Sequence, residues 1–200
     1  MCNTSSRVMD TSVQNTSSAF ELQDMLNELI AMASQPAIQA NRKRVAIIGS
    51  GPAGLGASAA LVKAGHEVHV FEAAPSAGFT LLRNPAQESS SPAPDALAPL
   101  DEKTLEAAIY ALTSSGINFH ICSPQGQSDM EKLLNSFNAV ICACGKAAVL
   151  PTEENGLVKG RSEGRFYATG TCVKNQKVQD AIQAMRSGIK VGESAARNLA

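Results

Sequence analysis

Short apolar runs and amphipathic stretches alternate along most of the chain. The apolar runs predict five strands, over residues 45–48, 66–71, 117–121, 139–143 and 165–169. Apolar positions at helical spacing predict helices over residues 53–64, 127–137 and 178–198, and another around Leu105 and Leu112 that ends at Gly116. Strands that alternate with helices indicate an α/β fold, in which a parallel sheet is flanked by helices.

The N-terminal region has a different pattern. Residues 1–17 are rich in Ser, Thr and Asn and predict a mobile tail, whereas residues 20–34 predict an amphipathic helix capped near Ser17 or Ser18. The apolar stripe of this helix must be buried against its own domain or against a partner chain, and the sequence leaves both open. We therefore predict a tail and helical arm over residues 1–42, and one α/β domain over residues 43–200 with a flexible loop at 83–100.

A glycine-rich motif joins the first predicted strand to the helix that follows it. It fits G-x-G-x-x-G and consists of Gly49, Ser50, Gly51, Pro52, Ala53 and Gly54. The first glycine permits a tight turn, the second lets the backbone approach a pyrophosphate, and the third allows close packing of helix and strand. The helix N-terminus adds unpaired N–H groups and the positive end of its dipole.

An acidic residue completes this pattern at the end of the second strand. Glu72 lies 18 residues after Gly54, close to the ~20 residues at which an acid reaches a ribose hydroxyl. A carboxylate there accepts from a 2′-OH and repels a 2′-phosphate. Because strand, helix, second strand and acid occur in order, the motif predicts a dinucleotide-binding βαβ unit. The alternative is a βαβ unit that has kept its shape and lost its ligand.

Composition and charge exclude several other classes. The chain has 17 basic and 18 acidic residues and only 4% aromatic residues, which argues against a nucleic-acid-binding surface. No apolar run reaches the ~18 residues of a membrane span, and the N-terminus lacks the apolar core of a signal peptide. Five cysteines, an odd number, suit a reducing compartment rather than a disulfide framework. We expect a cytoplasmic location.

Two of the cysteines, Cys142 and Cys144, lie two residues apart at the end of a predicted strand, and in strand geometry they share one face. Too few other ligands accompany them for a metal site. Strand geometry is poorly suited to a disulfide between them, so the pattern favours two small buried apolar side chains over a redox pair. No metal site and no catalytic residue can be identified from the sequence.

At this point the residues resemble a known family. VAIIGSGPAGLGASAALVKAGHEVHVFE is similar to the FAD-binding site of the pyridine nucleotide-disulfide oxidoreductases, in particular the small subunit of glutamate synthase and the matching domain of dihydropyrimidine dehydrogenase. Three later segments follow in the family's order, namely LDEKTLEAAIYALTSSGINFHI, NAVICACGKA and GRFYATGTCVKNQKVQDAIQAMRSGIKVGESAARNLA. The resemblance covers residues 43–200.

The resemblance implies a Rossmann-like FAD/NAD(P)-binding fold and non-covalently held FAD. The adenine ribose would lie on Glu72 and Ala73, with the pyrophosphate over residues 49–54. The flavin would lie near the N-terminus of the last helix, which favours negative charge on reduced flavin. The residues implied at the flavin end are Gly145, Gly170, Thr171, Lys177 and Val178.

The chain also departs from the family's pattern. Only about 20 residues separate Gly145 from Arg165, too few for a second βαβ unit that would bind NAD(P)H, and the cysteine-rich iron–sulfur region is missing. Thr171 replaces the family's closing acid, and Cys144 replaces a threonine. These departures imply an FAD-binding electron-transfer subunit or domain of a larger oxidoreductase, with iron–sulfur or NAD(P)H-binding partner subunits. The alternative is a degenerate nucleotide-binding subunit that only holds an assembly together.

Overall fold

Among the residues that the structure describes, five parallel strands form one sheet at the centre of the fold. The computed structural model describes residues 11–35, 42–82, 100–159, 164–174 and 180–200. Its strands lie in the order β3-β2-β1-β4-β5, and every pair is parallel. Their bounds are β1 Arg44–Ile48, β2 Glu67–Phe71, β3 Ile117–His120, β4 Ala139–Cys142 and β5 Phe166–Ala168. The predicted α/β fold with a parallel sheet is confirmed.

The central strand β1 explains why these runs are apolar at nearly every position. Val45 and Ile47 join the core on one face of the sheet, and Ala46 and Ile48 join the core on the other. All four side chains are buried. A strand covered on both faces needs apolar residues throughout rather than in alternation, which is the pattern that identified it in the sequence.

In the described residues, five α-helices cover the sheet. Four of them, α1, α2, α3 and α5, contribute to the larger core, and α4 lies with the smaller core on the opposite face. Their bounds are α1 Thr11–Ala33, α2 Pro52–Lys63, α3 Glu102–Ser114, α4 Gln127–Ser136 and α5 Ala181–Leu199. None of the helices in the described residues is long and apolar enough to cross a membrane.

The first helix packs on its own domain. Leu22, Leu26 and Leu29 are fully or almost fully buried in the larger core, against α2 and α3. The sequence left open whether the apolar stripe is buried against its own domain or against a partner chain, and this packing shows that its own domain buries it. The helix begins at Thr11 rather than after Ser18, so the predicted cap was wrong. Extending a helix that packing has already nucleated costs little, even for Ser- and Thr-rich residues.

The last helix also differs from its prediction. It begins at Ala181 instead of Val178, because Asp180 is an extended N-cap residue whose side chain accepts a hydrogen bond from the Gln183 backbone N–H at 2.7 Å. Lys177 and Val178 lie outside the described residues, as do residues 1–10 of the predicted tail and residues 83–99 of the predicted loop.

Glycines set the distance between α2 and α5, the two helices that pack most extensively on each other. A Cβ at Gly188 would overlap the carbonyl oxygen of Ala53, and a Cβ at Gly56 would overlap that of Met185. A Cβ at Gly192 would lie 2.7 Å from the carbonyl oxygen of Ala57. The helix backbones therefore touch directly, and residues that look like weak points in helix propensity are required for this contact.

We expect His66 to make stability depend on pH. Its side chain is 3% exposed, and this burial lowers the pKa of His66. The backbone carbonyl of Ala196 raises the pKa, but by less than burial lowers it. The unfolded chain then binds a proton near pH 6.5 while the folded chain does not, so the free energy of unfolding falls as pH falls below that value. In urea denaturation between about pH 7 and pH 5, His66→Asn should lose less stability than the unmodified chain.

His120 contributes to the same pH window and must be separated from His66. Burial, together with the nearby His69, lowers the pKa of His120 as well, so it also destabilises the folded chain as pH falls. A His120→Asn variant serves as the comparison, and the double variant should show the flattest profile. An unchanged slope in His66→Asn would exclude the buried imidazole as a source of the pH dependence.

Candidate functional site

A cavity of about 950 Å³ lies at the carboxyl ends of the strands. Ile48, Phe71 and Cys142, the last residues of β1, β2 and β4, line it, as does Thr169 directly after β5. The chain turns to opposite sides of β1 at this edge, since β2 lies on one side and β4 on the other. In open α/β sheets this is the position at which ligands bind, and the volume lies within the usual range for a ligand site.

The glycine-rich turn forms one wall of the cavity. Gly49 has a φ of +98°, and a Cβ there would lie 2.7 Å from the carbonyl oxygen of Ala143. A Cβ at Gly54 would overlap the carbonyl oxygen of Gly49. Both glycines are therefore needed for the turn itself. At Gly51 a Cβ would meet only the Thr80 hydroxyl at 3.4 Å, so this backbone leaves space on the cavity side.

The helix that follows the turn directs its N-terminus toward the cavity. Pro52 and Ala53, the first two residues of α2, line it together with Gly51. No side chain caps this end and no acidic residue lies in its first turn. The positive end of the helix dipole is thus uncompensated by the helix's own side chains, which suits an anionic group in the cavity.

Glu72 ties the glycine-rich turn to the end of β2. One carboxylate oxygen accepts from both the backbone N–H and the hydroxyl of Ser50, at 2.8 and 2.5 Å, and the other accepts from the Ala74 N–H at 2.8 Å. The Ser50 hydroxyl in turn accepts from the Gly78 N–H at 2.9 Å. A carboxylate offers roughly four acceptor positions, so about one is left for a ligand hydroxyl.

We expect Glu72→Gln to destabilise the folded chain by about 1–3 kcal/mol, the cost of leaving buried donors unpaired. An amide has a single acceptor oxygen and would direct an NH₂ group at the N–H of Ser50 or Ala74. The measurement is the urea midpoint, with Glu106→Gln, exposed on α3, as the matched control. Equal midpoints for the two variants would contradict a structural role for Glu72.

The far end of the cavity is built from two short 3-10 turns and the start of α5. The turns Gly145–Ala147 and Gly170–Cys172 pack together, and a Cβ at Gly145 would lie 3.6 Å from the Thr171 hydroxyl. Asp180, the N-cap of α5, also lines the cavity. Its carboxylate offsets part of the positive dipole at the N-terminus of α5. This end of the helix therefore favours a negative charge on reduced flavin less than the sequence led us to expect.

The predicted site residues fall into three groups. Nine line the cavity: Gly49, Gly51, Pro52, Ala53, Glu72, Ala73, Gly145, Gly170 and Thr171. Ser50 and Gly54 are buried and support the turn from behind. Lys177 and Val178 lie outside the described residues.

Part of the lining was not predicted from the sequence. The further lining residues include Thr80, Pro124, Met130, Val149, Leu150, Thr169, Asp180 and Ala184. Asp180 could have been found, because an Asp directly before an amphipathic helical stretch is a standard N-cap signal. The others come from loops or carry no chemistry that a sequence pattern reveals. Within the described ranges, no three His, Cys, Asp or Glu side chains are arranged to hold a metal ion.

Comparison with known proteins agrees with this geometry. Residues 47–92 match the family described as NAD(P)-binding Rossmann-like domain. The chain is 36% identical over 138 residues to the small chain of glutamate synthase [NADPH] from Bacillus subtilis, with 67% of this chain and 25% of that protein covered. The chain is thus similar to part of a glutamate synthase small chain. The predicted resemblance is therefore confirmed.

A second relative shows how small a part of these enzymes is shared. Glutamate synthase [NADH] from Schizosaccharomyces pombe is 32% identical over 147 residues, which cover 72% of this chain and 6% of that protein. This chain thus spans a quarter or less of the length of these two relatives. What is shared is an oxidoreductase-type Rossmann domain, which contains the glycine-rich turn and Glu72.

Proposed function

We propose that this chain binds FAD non-covalently in the cavity and acts as an electron-transfer subunit or domain of a larger oxidoreductase. The observation that carries the proposal is a single cavity lined by the glycine-rich turn and Glu72, and also by Gly145, Gly170 and Thr171. These are the two groups of residues that the family resemblance assigns to the two halves of FAD. An adenine mononucleotide would need only the first group.

The residues on the cavity wall fit the adenine half of such a ligand. Gly51 leaves backbone space for a pyrophosphate, and the uncapped N-terminus of α2 supplies a favourable dipole. Glu72 retains about one acceptor position, which suits a single ribose hydroxyl. Its anionic side chain disfavours a 2′-phosphate at the same place.

The flavin half would lie among the 3-10 turns and the start of α5. The isoalloxazine ring supplies the redox chemistry when FAD is bound, and the protein supplies position and electrostatics. Met130, Val149 and Leu150 give this part of the cavity wall apolar side chains. Thr171 offers a hydroxyl for one hydrogen bond, and Asp180 adds a carboxylate at the helix end.

The segment between Gly145 and Arg165 supports the proposal that partner subunits are needed. In this segment the structure places a 3-10 turn and isolated bridges such as that between Thr152 and Val158, with no βαβ unit in the described residues. The chain would then receive electrons from, or deliver them to, iron–sulfur or NAD(P)H-binding subunits. The two relatives are glutamate synthases that use NADPH and NADH by name, which supports a place in such an assembly.

One observation favours the alternative, a structural subunit without redox activity. Three of the acceptor positions of Glu72 are taken by Ser50 and Ala74, so the acid has a structural role with no ligand present. In that case the cavity would remain as an inherited feature, and the domain would contribute only surface to an assembly.

The test is reconstitution of the purified chain with FAD. The proposal predicts a yellow protein after removal of free flavin, which bleaches with dithionite and reoxidises in air. Its FAD affinity should exceed its affinity for FMN by at least about tenfold, since FMN lacks the adenosine half that Glu72 would hold. A protein that folds and retains no flavin would contradict FAD binding, and bound flavin that resists dithionite would favour the structural alternative.

A further inference from the structure

Three cysteines meet beside the cavity, at the end of β4. The sulfur atoms of Cys142 and Cys144 are 3.2 Å apart. Cys172 lies next to them, and its thiol donates to the carbonyl oxygens of Cys142 at 3.0 Å and of Thr169 at 2.8 Å. None of these thiols has a role in the dinucleotide site described above.

The distance between the sulfur atoms of Cys142 and Cys144 is shorter than an ordinary contact between two sulfur atoms. The sulfur–sulfur distance in a disulfide bond is only about 1.2 Å shorter than this. Side chains of an extended strand at positions i and i+2 would lie parallel and further apart. Cys144 differs because β4 ends at Cys142, and the backbone at Cys144 has turned to φ −83° and ψ 19°. The turn brings its side chain back toward Cys142.

We propose that Cys142 and Cys144 form a reversible disulfide pair in the wall of the cavity, and that a low-molecular-weight disulfide entering the cavity is its oxidant. Both residues line the cavity. Cys144 is half-buried and within reach of a solute, whereas Cys142 is 2% exposed and lies directly behind it. This arrangement separates an attacking thiol from a resolving thiol.

The reaction balances in two exchanges. The Cys144 thiol loses its proton and attacks one sulfur of the disulfide RS–SR, forming a mixed disulfide and releasing RS⁻. The Cys142 thiol then loses its proton and attacks the Cys144 sulfur, which closes the Cys142–Cys144 bond and releases the second RS⁻. The protein loses two electrons and two protons, and the oxidant becomes two molecules of RSH.

Cys172 is the other neighbour of Cys142 and is the less suitable partner. Its side chain is fully buried, and it is absent from the cavity lining. Its thiol hydrogen is engaged with two carbonyl oxygens. A bond to Cys142 would remove both contacts, although the Cys142 carbonyl would keep another donor, the Thr169 N–H at 3.0 Å. We therefore expect Cys172 to remain reduced while the pair closes.

The protonation of the pair predicts how fast it reacts. The hydrogen bond with Cys144 lowers the pKa of the Cys142 thiol, but contact with Cys172 and burial outweigh it and raise that pKa to about 11. The shared hydrogen bond with Cys142, together with burial, raises the pKa of the Cys144 thiol. Because the thiolate is the nucleophile, closure should accelerate about tenfold per pH unit between pH 7 and pH 9.

Tryptic cleavage places the Cys142–Cys144 pair and Cys172 in different peptides. Cleavage after Lys132 and Lys146 gives one peptide, 133–146, that contains both Cys142 and Cys144, whereas Cys172 lies in peptide 166–174. The native chain, without added flavin, is equilibrated with reduced and oxidised glutathione at pH 8, quenched with acid and alkylated. We expect peptide 133–146 to be lighter by two hydrogen atoms and to carry no alkyl group.

The folded structure should favour this closure. We expect half-oxidation at a glutathione ratio at least about tenfold more reducing for the native chain than for the chain unfolded in urea. Cys144→Ser, at a partly exposed position, should fold and lose the closed form, and Cys142→Ser should do the same. Cys172→Ser should retain the closed form, and dithiothreitol should reopen it.

Other outcomes would overturn the proposal. These are a peptide 133–146 that stays fully alkylated, glutathione that remains on Cys144 without closure, or a cross-link between peptides 133–146 and 166–174. A bound metal would be indicated instead if the thiols resist alkylation and a chelator, but not dithiothreitol, makes them reactive again. None of these readouts requires flavin. The disulfide proposal can therefore fail while FAD binding is correct, and FAD binding can fail while the disulfide proposal is correct.

Discussion

Replacing Gly51 with alanine is expected to weaken FAD binding on the order of 10- to 100-fold while leaving the fold intact. In the protein a Cβ at this position would meet only the Thr80 hydroxyl at 3.4 Å, so the free chain has room for it. The same methyl group would project toward the place where the pyrophosphate must approach the backbone. A loss of 1.4 kcal/mol in binding already corresponds to a tenfold weaker affinity.

Two measurements check this prediction together. Isothermal titration with FAD gives the affinity, and urea denaturation gives the stability, which should change by less than about 1 kcal/mol. Ser114→Ala, exposed on α3 and away from the cavity, is the control for both. Equal FAD affinities for Gly51→Ala and the unmodified chain would show that no diphosphate lies over the turn.

Replacing Gly188 with alanine is expected to destabilise the folded chain by about 3 kcal/mol, at the upper end for overpacking. The added Cβ would overlap the backbone carbonyl of Ala53 and lie 2.9 Å from the backbone nitrogen of Ala57. Neither atom can rotate away as a flexible side chain would, so α5 must move away from α2. Since Ala53 also lines the cavity, FAD affinity should fall in the same variant.

The control for this variant lies on the same helix. Lys190→Ala introduces the same residue two positions further on, at an exposed site, and should change stability by about 0.5 kcal/mol or less. A Gly188→Ala chain as stable as Lys190→Ala would mean that the two helices do not touch through their backbones, and the account of their packing would be wrong.

The sheet could be predicted because its strands are buried on both faces. From Val45 onward β1 is apolar at every position, and β4 is apolar throughout. In a chain in which helices alternate with strands, such a short apolar run indicates a buried parallel strand. The glycine-rich turn could be predicted for a similar reason. Gly49 and Gly54 are fixed by backbone contacts within the βαβ unit, and these recur wherever that unit occurs.

The start of α1 could not be predicted from the sequence. The helix extends to Thr11 through residues of low helix propensity, because packing of its later, apolar half supplies the nucleus. The role of Gly188 was hidden for a related reason. Propensity marks it as a weak point of a helix, and only the approach of α2 reveals that a side chain has no room there.

The candidate site was predictable as a motif and less so as a set of contacts. The position of Glu72 follows from its spacing, but its hydrogen bonds to Ser50 depend on how the glycine-rich turn closes. The close approach of Cys142 and Cys144 was likewise invisible, because it requires β4 to end between them. Long-range geometry of this kind leaves no periodic signal in a sequence.

The central claim is that the first turn of the sheet holds the diphosphate of FAD, with Glu72 against the adenosine ribose. A crystal structure of the chain grown with excess FAD tests it most directly. The account predicts the diphosphate over Gly51 at the N-terminus of α2, and a ribose hydroxyl within hydrogen-bond distance of the Glu72 carboxylate. A crevice closed by the protein's own side chains, or flavin bound elsewhere on the surface, would contradict it.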